Sequence, residues 1–534
     1  MTKERLAKLL NLLWLLPGFL LWAAYPPMGE RADVLFALAP LMWLSRRAKA
    51  GASAKRWFAS GMLYWICTLS WMPAIVKNSG PWPLVALGWI ALSAYCAAYF
   101  AAYGYISAKT WEWARGAYPR RLFAMLVAEP VLWCGLELVR SRFGGGFAWN
   151  HLGVVPANSG FGAPAALGGV YLLSAVVILV NGSVAGIAER MWRPELSGLP
   201  KKMRFGSLET IAVFAVVFGI YKASALGRVA GEAAAPGHMS VALVQRNFPC
   251  VFKGRAEENP VEVYSRLLAN VEALKPDVFV LSESAMCEFG PVDQQGAVRF
   301  AESIVGRTGA SVLAGGTRYE ESETYNAAAL YGRDGSFQVY DKAHLVPFGE
   351  FIPGDKTFKF LQKFAPVGSC TPGRLKTLDL PVGEEKVPVG VAICFEDTDS
   401  AQMCELARLG ARALFFITND SWFSDSVEAE QHSWQSVARA IETGLPVART
   451  GNSGVSGTIS PDGRAMWLVG ADGIPLVDRG GTMFDRLQLG GKGATTFYVR
   501  VGDWPLGTAF LLLILSMVLV KYWHHYEKRR KLSM

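Results

Sequence analysis

The sequence predicts a polytopic α-helical membrane domain joined to an α/β domain on the extracytoplasmic side. Apolar residues (AVILMFWYC) make up 51% of the 534 residues, only 18% are charged, and the mean hydropathy is +0.23. Several long segments carry no charge, whereas residues 227–501 alternate short apolar runs with polar turns. Because soluble proteins carry about a quarter charged residues, this composition excludes a wholly soluble chain and an intrinsically disordered one.

The membrane domain is predicted from segments that reach the length of a bilayer-spanning helix, about 17–25 mostly apolar residues. Segment 34–45 is short for a span, and segment 122–138 is interrupted by Glu129 and Pro130. Counting both, the predicted spans are eight: residues 9–29, 34–45, 57–76, 78–108, 122–138, 165–188, 207–225 and 504–520. The first segment follows a basic start that resembles a signal peptide, but it is long and further spans follow, which predicts a retained anchor.

The distribution of positive charge predicts the orientation of these spans. The connectors and tails at 1–8, 45–56, 109–121, 189–204 and 521–534 hold 22 Lys and Arg residues and five acids. With eight spans, all five segments lie on one side of the membrane, which the positive-inside rule makes cytoplasmic. Both termini are then cytoplasmic. The remaining chain is mildly acidic although the net charge is +9, so no basic face is left for nucleic acid.

The predicted domains are a membrane domain at 1–226, a catalytic α/β domain at 227–501, and an eighth span with a basic tail at 502–534. Helical periodicity in the α/β domain occurs at 261–274 and 428–442. Turns at 333–335 and 460–463 indicate hairpins. Strands are predicted at 240–245, 277–282, 311–315, 325–331, 337–340, 387–394, 413–418 and 446–449.

Three residues that follow apolar strands are candidates for chemistry: Glu283, Lys342 and Cys394. A thiol attacks as the thiolate, so it needs a base such as Glu283, and Lys342 could hold the oxyanion of a tetrahedral intermediate. Taken singly, each has a plainer explanation, because a strand-end Cys is usually core filler and a Glu or Lys is usually a surface charge. Spacing alone does not prove that they converge. The sequence shows no metal-binding motif, so neither a metal nor a cofactor is predicted.

The local sequences around these residues resemble the nitrilase, or carbon–nitrogen hydrolase, superfamily. The motifs are LSE at 281–283, DKAHLVPFGEFIP at 341–353 and GVAICFED at 390–397, followed by NDSWF at 419–423 and RTGNSG at 449–454. With seven predicted spans before this domain and one after it, the whole chain resembles the apolipoprotein N-acyltransferase family. The resemblance implies a nitrilase-like αββα sandwich on a membrane domain of about eight helices.

The resemblance also implies roles for six residues. Cys394 is the implied nucleophile, Glu283 the general base and Lys342 the residue that stabilises the tetrahedral intermediate. Glu350 is implied to orient the lysine and the nucleophile, and Glu396 and Trp422 to support activity. Three positions depart from the family pattern: Ser282, Phe395 and Gly254.

The implied reaction is acyl transfer from a membrane phospholipid, through a cysteine thioester, to the N-terminal amine of a diacylated apolipoprotein. The implied setting is the bacterial inner membrane, with the catalytic domain of a monomeric enzyme on the periplasmic side. Two alternatives stay open on the sequence: a membrane-tethered amidase or nitrilase that uses the same triad, and a transporter or lipoprotein-binding scaffold with a vestigial one.

The remaining cysteines lie either in predicted spans or on the oxidising side of the membrane. Those at 67, 96 and 134 lie in predicted spans and are expected to pack there. Those at 250, 287, 370 and 404 share the oxidising side with Cys394, and the sequence does not show whether any pair is bridged. Since a nucleophilic thiol must stay free, Cys394 is expected to be unpaired.

Overall fold

A computed structural model describes most of the chain. The described residues are 14–192 except 79 and 116, 208–248 except 225–227 and 230–236, 258–353, and 369–532 except 425, 492 and 494. The positions Cys250 and Gly254, and parts of the first and seventh predicted spans, lie outside these residues.

The N-terminal part of the described chain is helical. Its helices are α1 (Leu16–Ala23), α2 (Ala39–Ser45), α3 (Ala50–Thr68), α4 (Trp82–Ala114), α5 (Tyr118–Phe123), α6 (Glu129–Arg140), α7 (Val154–Ala157), α8 (Ala165–Trp192) and α9 (Leu208–Ser224). Short 3₁₀ turns occur at Arg31–Leu35, Met72–Asn78 and Phe143–Gly145. A π-helical turn at Ala124–Ala128 joins α5 to α6.

Within the described residues, five helical segments are long and apolar enough to cross a membrane. They are Ala50–Asn78, Trp82–Ala114, Tyr118–Gly145, Ala165–Met191 and Trp504–Trp523. Each overlaps a predicted span. The predicted span at 34–45 instead forms a 3₁₀ turn and the seven-residue α2, which is too short to cross as one helix. The side-chain carbonyl of Asn181 accepts from the backbone N–H groups of Leu38 and Ala39, and so caps α2 where it begins.

Glu129 and Pro130 do not end the helix that they interrupt in the sequence. The π-helical turn lies directly before them, and the chain continues as α6 through Pro130. The Glu129 carboxylate is buried and accepts hydrogen bonds from Ser107 Oγ and Trp111 Nε1, both at 2.8 Å. A buried acid in an apolar helix is therefore supplied with donors by the neighbouring helix α4.

The C-terminal part contains two six-stranded sheets. The first has the strand order β13-β2-β3-β4-β5-β6 and the second β12-β11-β10-β9-β8-β7. Strands of the first sheet are β2 (His238–Gln245), β3 (Val278–Leu281), β4 (Ser311–Glu320), β5 (Glu323–Tyr331), β6 (Phe337–Asp341) and β13 (Gly481–Gln488). Strands of the second are β7 (Thr377–Val382), β8 (Glu385–Ile393), β9 (Ala413–Thr418), β10 (Val447–Gly451), β11 (Gly457–Ile459) and β12 (Ala465–Trp467). The two-residue strands β1 (Arg228–Val229) and β14 (Thr495–Thr496) pair with each other.

The two sheets pack face to face between layers of helices. One apolar cluster joins Leu243 and Val280 of the first sheet to Val391 and Phe415 of the second. Helices α10 (Pro260–Ala269) and α11 (Gln295–Thr308) cover the first sheet, while α12 (Ser400–Arg408) and α13 (Glu428–Thr443) cover the second. The expected αββα layering is therefore present. The last helices are α14 (Phe497–Val501) and α15 (Trp504–Leu532).

Helix α13 lies between the second sheet and the membrane domain. Nearly all of its side chains are buried, and Val437 and Ile441 share an apolar cluster with Ala165 and Leu173 of the membrane domain. This contact fixes the outer face of the sandwich on the helices below it.

All eight predicted strands are present within a residue or a few of their predicted ends. The helix predicted at 428–442 is α13, while that at 261–274 is split into α10 and a 3₁₀ turn at Glu272–Leu274. The hairpin turn predicted at 460–463 joins β11 to β12, which pair antiparallel. Strands β7 and β13 and helices α11 and α12 were not predicted.

Candidate active site

Cys394 lies in the turn that follows the buried strand β8. It begins the 3₁₀ helix Cys394–Thr398 and has a left-handed backbone, with φ of +53°. A non-glycine residue in this region costs about 1–3 kcal/mol and persists only where its surroundings enforce it. The turn leaves the thiol free and partly exposed.

The electrostatic setting of this thiol opposes spontaneous ionisation. Burial raises the pKa of Cys394 well above its usual value, the Glu283 carboxylate raises it further, and Lys342 lowers it. The resting side chain is therefore a neutral thiol. Because only the thiolate is a strong nucleophile, attack requires a base in the same site.

Glu283 supplies a carboxylate close to the thiol. It lies just beyond β3, is 7% exposed, and accepts a hydrogen bond of 2.8 Å from Asn326 Nδ2. Burial raises the pKa of Glu283, Lys342 lowers it and Glu350 raises it again, which favours proton uptake. The backbone of β4 approaches closely here, since a Cβ on Gly315 would lie 2.6 Å from the Cα of Glu283.

Lys342 follows β6 and is held by a second glutamate. Its Nζ donates to Glu350 Oε1 at 2.9 Å, and the Lys342 side chain is 1% exposed. Burial opposes the charge, but Glu350, Cys394 and Glu283 together raise the pKa of Lys342. The ammonium therefore stays charged beside the thiol, as an oxyanion partner requires.

Asn326 of β5 connects the two glutamates. Its Nδ2 donates to Glu283 Oε1 at 2.8 Å and to Glu350 Oε1 at 2.6 Å, and its backbone carbonyl accepts from Lys342 N at 2.9 Å. Glu350 Oε2 accepts from the backbone N–H of Val346 at 2.7 Å. One amide thus fixes the spacing of the base and the glutamate that holds the lysine. The sequence analysis did not single out Asn326.

Glu396 joins the nucleophile turn to the lysine loop. Its Oε2 accepts from Ile393 N at 2.9 Å, while its Oε1 accepts from Ala343 N at 2.8 Å, from His344 N at 2.9 Å and from Tyr340 Oη at 2.8 Å. Burial raises the pKa of Glu396 to about 7, against the effect of Lys342 and these hydrogen bonds. Glu396 therefore links the turn that holds Cys394 to the loop that follows Lys342.

Trp422 and Phe395 lie where the site meets the membrane domain. The backbone carbonyl of Trp422 accepts from Asn78 Nδ2 at 2.7 Å. The Phe395 ring stacks against Phe147 at 6.1 Å and against Trp149 at 6.4 Å between centroids. The departure at 395 thus places an apolar ring, directly after Cys394, against two aromatic rings of the membrane domain. Ser282, the departure beside the base, is buried.

The membrane domain contains a small cavity of about 20 Å³ that approaches this boundary. Aromatic side chains of α3, α4 and α6 dominate its lining, among them Trp65, Phe100 and Trp133. Arg140 also lines it and donates to the backbone carbonyls of Phe147 and Trp149. The cavity is therefore apolar and adjoins the segment that stacks on Phe395.

A buried charge network below the nucleophile was missed by the sequence analysis. Asp397 Oδ1 lies 2.9 Å from His432 Nε2, and Asp420 Oδ1 lies 3.1 Å from His432 Nδ1. Arg449 NH1 donates to Asp397 Oδ2 at 2.5 Å, and Arg449 NH2 lies 3.5 Å from Asp420 Oδ2. Glu428 Oε1 lies 3.5 Å from His432 Nδ1. Asp397, Asp420 and Arg449 lie in the motifs at 390–397, 419–423 and 449–454, but these are separate segments, and the motifs do not show that the three residues meet at His432.

Three members of this network also have ligand atoms close enough to hold a metal ion. The potential ligand atoms of Asp420, Glu428 and His432 lie within 4.8 Å of one another. Arg449 already places a positive charge beside Asp420. The Arg449 guanidinium therefore supplies the positive charge that a metal ion would supply at this position.

The described cysteines other than Cys394 are also free thiols. Cys67 is half-buried, Cys96, Cys134 and Cys404 are buried, Cys370 is half-buried and Cys287 is exposed. The expectation that Cys394 is unpaired agrees with its free thiol in the structure.

Comparisons with known proteins assign both halves of the chain. Residues 275–481 match the family model of carbon–nitrogen hydrolases, and residues 17–183 match that of the apolipoprotein N-acyltransferase N-terminal domain. An apolipoprotein N-acyltransferase of Geobacter metallireducens is 29% identical over 92% of this chain and 91% of its own length. Another, of Photobacterium profundum, is 25% identical over 98% of this chain and 97% of its own length. A solved amidase from Nesterenkonia sp. is 16% identical and covers 52% of this chain and 97% of its own, with a TM-score of 0.37.

The fold, the cysteine site and the catalytic-domain match define a membrane-associated protein of the carbon–nitrogen hydrolase superfamily. The family match of residues 17–183 narrows this class, because those residues include apolar helices of the N-terminal part. The chain belongs to the apolipoprotein N-acyltransferase family.

Proposed function

We propose that this protein transfers a fatty acyl chain from a membrane phospholipid to the N-terminal amine of an S-diacylglyceryl-cysteine lipoprotein. The observation that carries the proposal is the position of the cysteine site. Glu283, Lys342 and Cys394 interact electrostatically in one pocket, and the residue after the cysteine stacks on aromatic rings of the membrane domain. A lipid ester can reach such a site without leaving the bilayer.

In the first half-reaction, Glu283 takes the proton of Cys394 as the sulfur attacks the ester carbonyl of the phospholipid. The carbonyl oxygen becomes an oxyanion, which the Lys342 ammonium stabilises. As the intermediate collapses, the ester C–O bond breaks and Glu283 returns the proton to the leaving oxygen. The products are a lysophospholipid and a thioester on Cys394.

In the second half-reaction, the free amine of the lipoprotein attacks the thioester carbonyl. Glu283 accepts the amine proton, Lys342 again holds the oxyanion, and as the C–S bond breaks Glu283 returns the proton to the leaving sulfur, which regenerates the thiol. The amide is the product. Glu350, Asn326 and Glu396 contribute by fixing the lysine, the base and the nucleophile turn relative to one another.

The aromatic side chains around this cavity support a lipid donor. Trp65, Phe100 and Trp133 offer an apolar surface to an acyl chain, and Arg140 lies beside them. A small-molecule amidase, the alternative reaction for the same triad, has no need of this cavity or of the stacking between Phe395 and the membrane domain. No metal or other cofactor enters the proposed reaction.

The topology is part of the proposal. We infer eight spans, cytoplasmic termini and a monomer in the bacterial inner membrane, with domains at 1–226, 227–501 and 502–534. The catalytic domain then faces the periplasm, where exported lipoproteins present their N-termini. A reporter fused after Met534 is expected to behave as cytoplasmic, and one inserted near Ala235 as exported. Cytoplasmic behaviour at Ala235 would contradict the proposed acceptor.

The reaction is tested by incubating the purified protein with phospholipid and a diacylated lipopeptide and measuring products by mass spectrometry. The expected products are a triacylated lipopeptide and an equal amount of lysophospholipid. Phospholipid alone should add the mass of one acyl chain to Cys394. Release of free fatty acid with no acylated lipopeptide would show hydrolysis of the phospholipid ester in place of transfer, and the absence of any acyl-enzyme would favour the amidase.

A further inference from the structure

We propose that His432 is a positioning residue that stays positively charged, bridging Asp397 of the nucleophile turn and Asp420 beyond β9. In this position it offsets the negative charge of Asp420 near the thiol. The inference rests on the proposed role of Cys394 as the nucleophile.

The hydrogen-bond geometry requires both ring nitrogens of His432 to carry protons. Nε2 lies 2.9 Å from Asp397 Oδ1, and Nδ1 lies 3.1 Å from Asp420 Oδ1. A carboxylate oxygen accepts hydrogen bonds, so two such contacts need two N–H donors, and only the imidazolium has two. His432 is 1% exposed, which keeps water from replacing either partner.

Both aspartates are held in the ionised state by other donors. Asp397 Oδ2 accepts from Arg449 NH1 at 2.5 Å and from Ser436 Oγ at 2.7 Å. Asp420 Oδ1 accepts from Thr418 Oγ1 at 2.7 Å. Burial opposes the charge of His432, but Asp397 and Asp420 raise its pKa to about 10, in agreement with the geometry.

The charges that face His432 are nearly balanced. Asp397 and Asp420 contribute two negative charges, while His432 and Arg449 contribute two positive charges. Glu428 also faces the ring, but burial and the neighbouring Asp420 raise its pKa well above the usual value, which disfavours a third negative charge there. A neutral residue at position 432 would leave one uncompensated negative charge in the network.

This charge acts on the nucleophile through Thr418 and Asp420. Asp420 is among the groups that raise the pKa of Cys394, and the Thr418 hydroxyl, when it bonds to the sulfur, lowers it. That hydroxyl has one proton and two acceptors, Asp420 Oδ1 and the thiolate. The imidazolium donates a hydrogen bond to Asp420 and offsets its negative charge. This weakens the hydrogen bond from the Thr418 hydroxyl to Asp420 and favours donation from that hydroxyl to the sulfur of Cys394.

The experiment compares His432→Gln with wild type, using the exposed His238→Gln as the matched control. The alkylation rate of Cys394 is followed across pH by mass spectrometry of its peptide, in the full-length protein in detergent. Loss of a nearby positive charge shifts a pKa by about one unit or more, so His432→Gln should alkylate about tenfold more slowly at pH 8. His238→Gln should match wild type. An unchanged pH profile in His432→Gln, with only a lower melting temperature, would overturn the proposal.

A second measurement needs neither the variant's folding nor the enzyme's activity. Nitrogen NMR of histidine-labelled wild type should show one imidazolium, with both nitrogens protonated, that does not titrate between pH 6 and 8.5. A neutral or titrating His432, assigned by replacing the other five histidines one at a time, would overturn the proposal. So would an unprotonated ring nitrogen of His432 whose signal changes when a chelator is added, since a metal ligand is an unprotonated nitrogen and this would assign the three-ligand cluster to a metal ion.

Discussion

Replacing Lys342 tests the centre of the proposed site. Lys342→Met keeps much of the side-chain volume but removes the ammonium that lies 2.9 Å from Glu350 Oε1. Removing one oxyanion partner costs on the order of 10²–10³ in rate, or about 2.7–4 kcal/mol. The loss should lie at the upper end, because Lys342 also lowers the pKa of both Cys394 and Glu283.

The same substitution has a stability cost that can be measured separately. Breaking a buried ion pair costs about 3–5 kcal/mol when the remaining charge is left without a partner. Glu350 is 13% exposed on its side chain and keeps hydrogen bonds from Asn326 and Val346, so the lower end applies. Lys342→Met should therefore melt at a lower temperature than wild type.

The assay is formation of the acyl-enzyme on Cys394 in single turnover with phospholipid, followed by mass spectrometry. Lys342→Arg is the discriminating variant because its planar fork is larger than an ammonium and the Lys342 site is 1% exposed. Lys342→Arg should lower the rate of acyl-enzyme formation nearly as much as Lys342→Met does. Acylation of Lys342→Arg at close to the wild-type rate would show that any positive charge suffices, and would refute the specific oxyanion role.

Cys394→Ser should form no acyl-enzyme and give no turnover, because a hydroxyl is far less acidic than a thiol; an acyl chain found on Cys287 instead would move the site. Glu283→Gln should keep the fold but fail to acylate, which intact mass and melting temperature would show together, and wild-type acylation would exclude it as the base. His432 has a pKa raised from 6.5 to about 10 in the folded protein. The contribution of its charged ring to the free energy of unfolding is therefore complete below pH 6.5 and is lost as pH rises towards 10. Wild type should therefore lose melting temperature over that range more steeply than His432→Gln.

The parts of the fold that the sequence predicts are those with a local pattern. Strands β3, β8 and β9 are predicted from apolar runs, because a strand that is buried on both faces has a nearly continuous apolar sequence. Strand β13 was missed because it is an edge strand paired only with β2, and most of its residues are half-buried rather than alternating. Its place in the sheet is set by pairing with a strand about 240 residues away.

The residues of the site also divide into those that a local sequence pattern indicates and those that it does not. Glu283, Lys342, Glu350 and Cys394 were found through strand ends and motifs, and the structure brings them together. Asn326 was missed because it lies inside a strand, where a single Asn looks like an ordinary polar residue. Its function depends on β5 standing beside both β4 and β6, which is a property of strand order and not of local sequence.

Helix α13 explains how a hydrolase-type site can be fixed to a membrane. One side of the helix presents His432 to the two aspartates near the nucleophile. The adjacent residue, Gln431, faces the membrane domain: its Nε2 donates to the backbone carbonyls of Pro26 and Thr68, and its Oε1 accepts from Trp149 Nε1 at 3.0 Å. Since Trp149 also stacks on Phe395, the nucleophile turn is tied to the membrane helices from both sides. The turn that holds Cys394 therefore cannot shift relative to the membrane domain without breaking these buried contacts, and the proposed lipid donor would need this fixed placement.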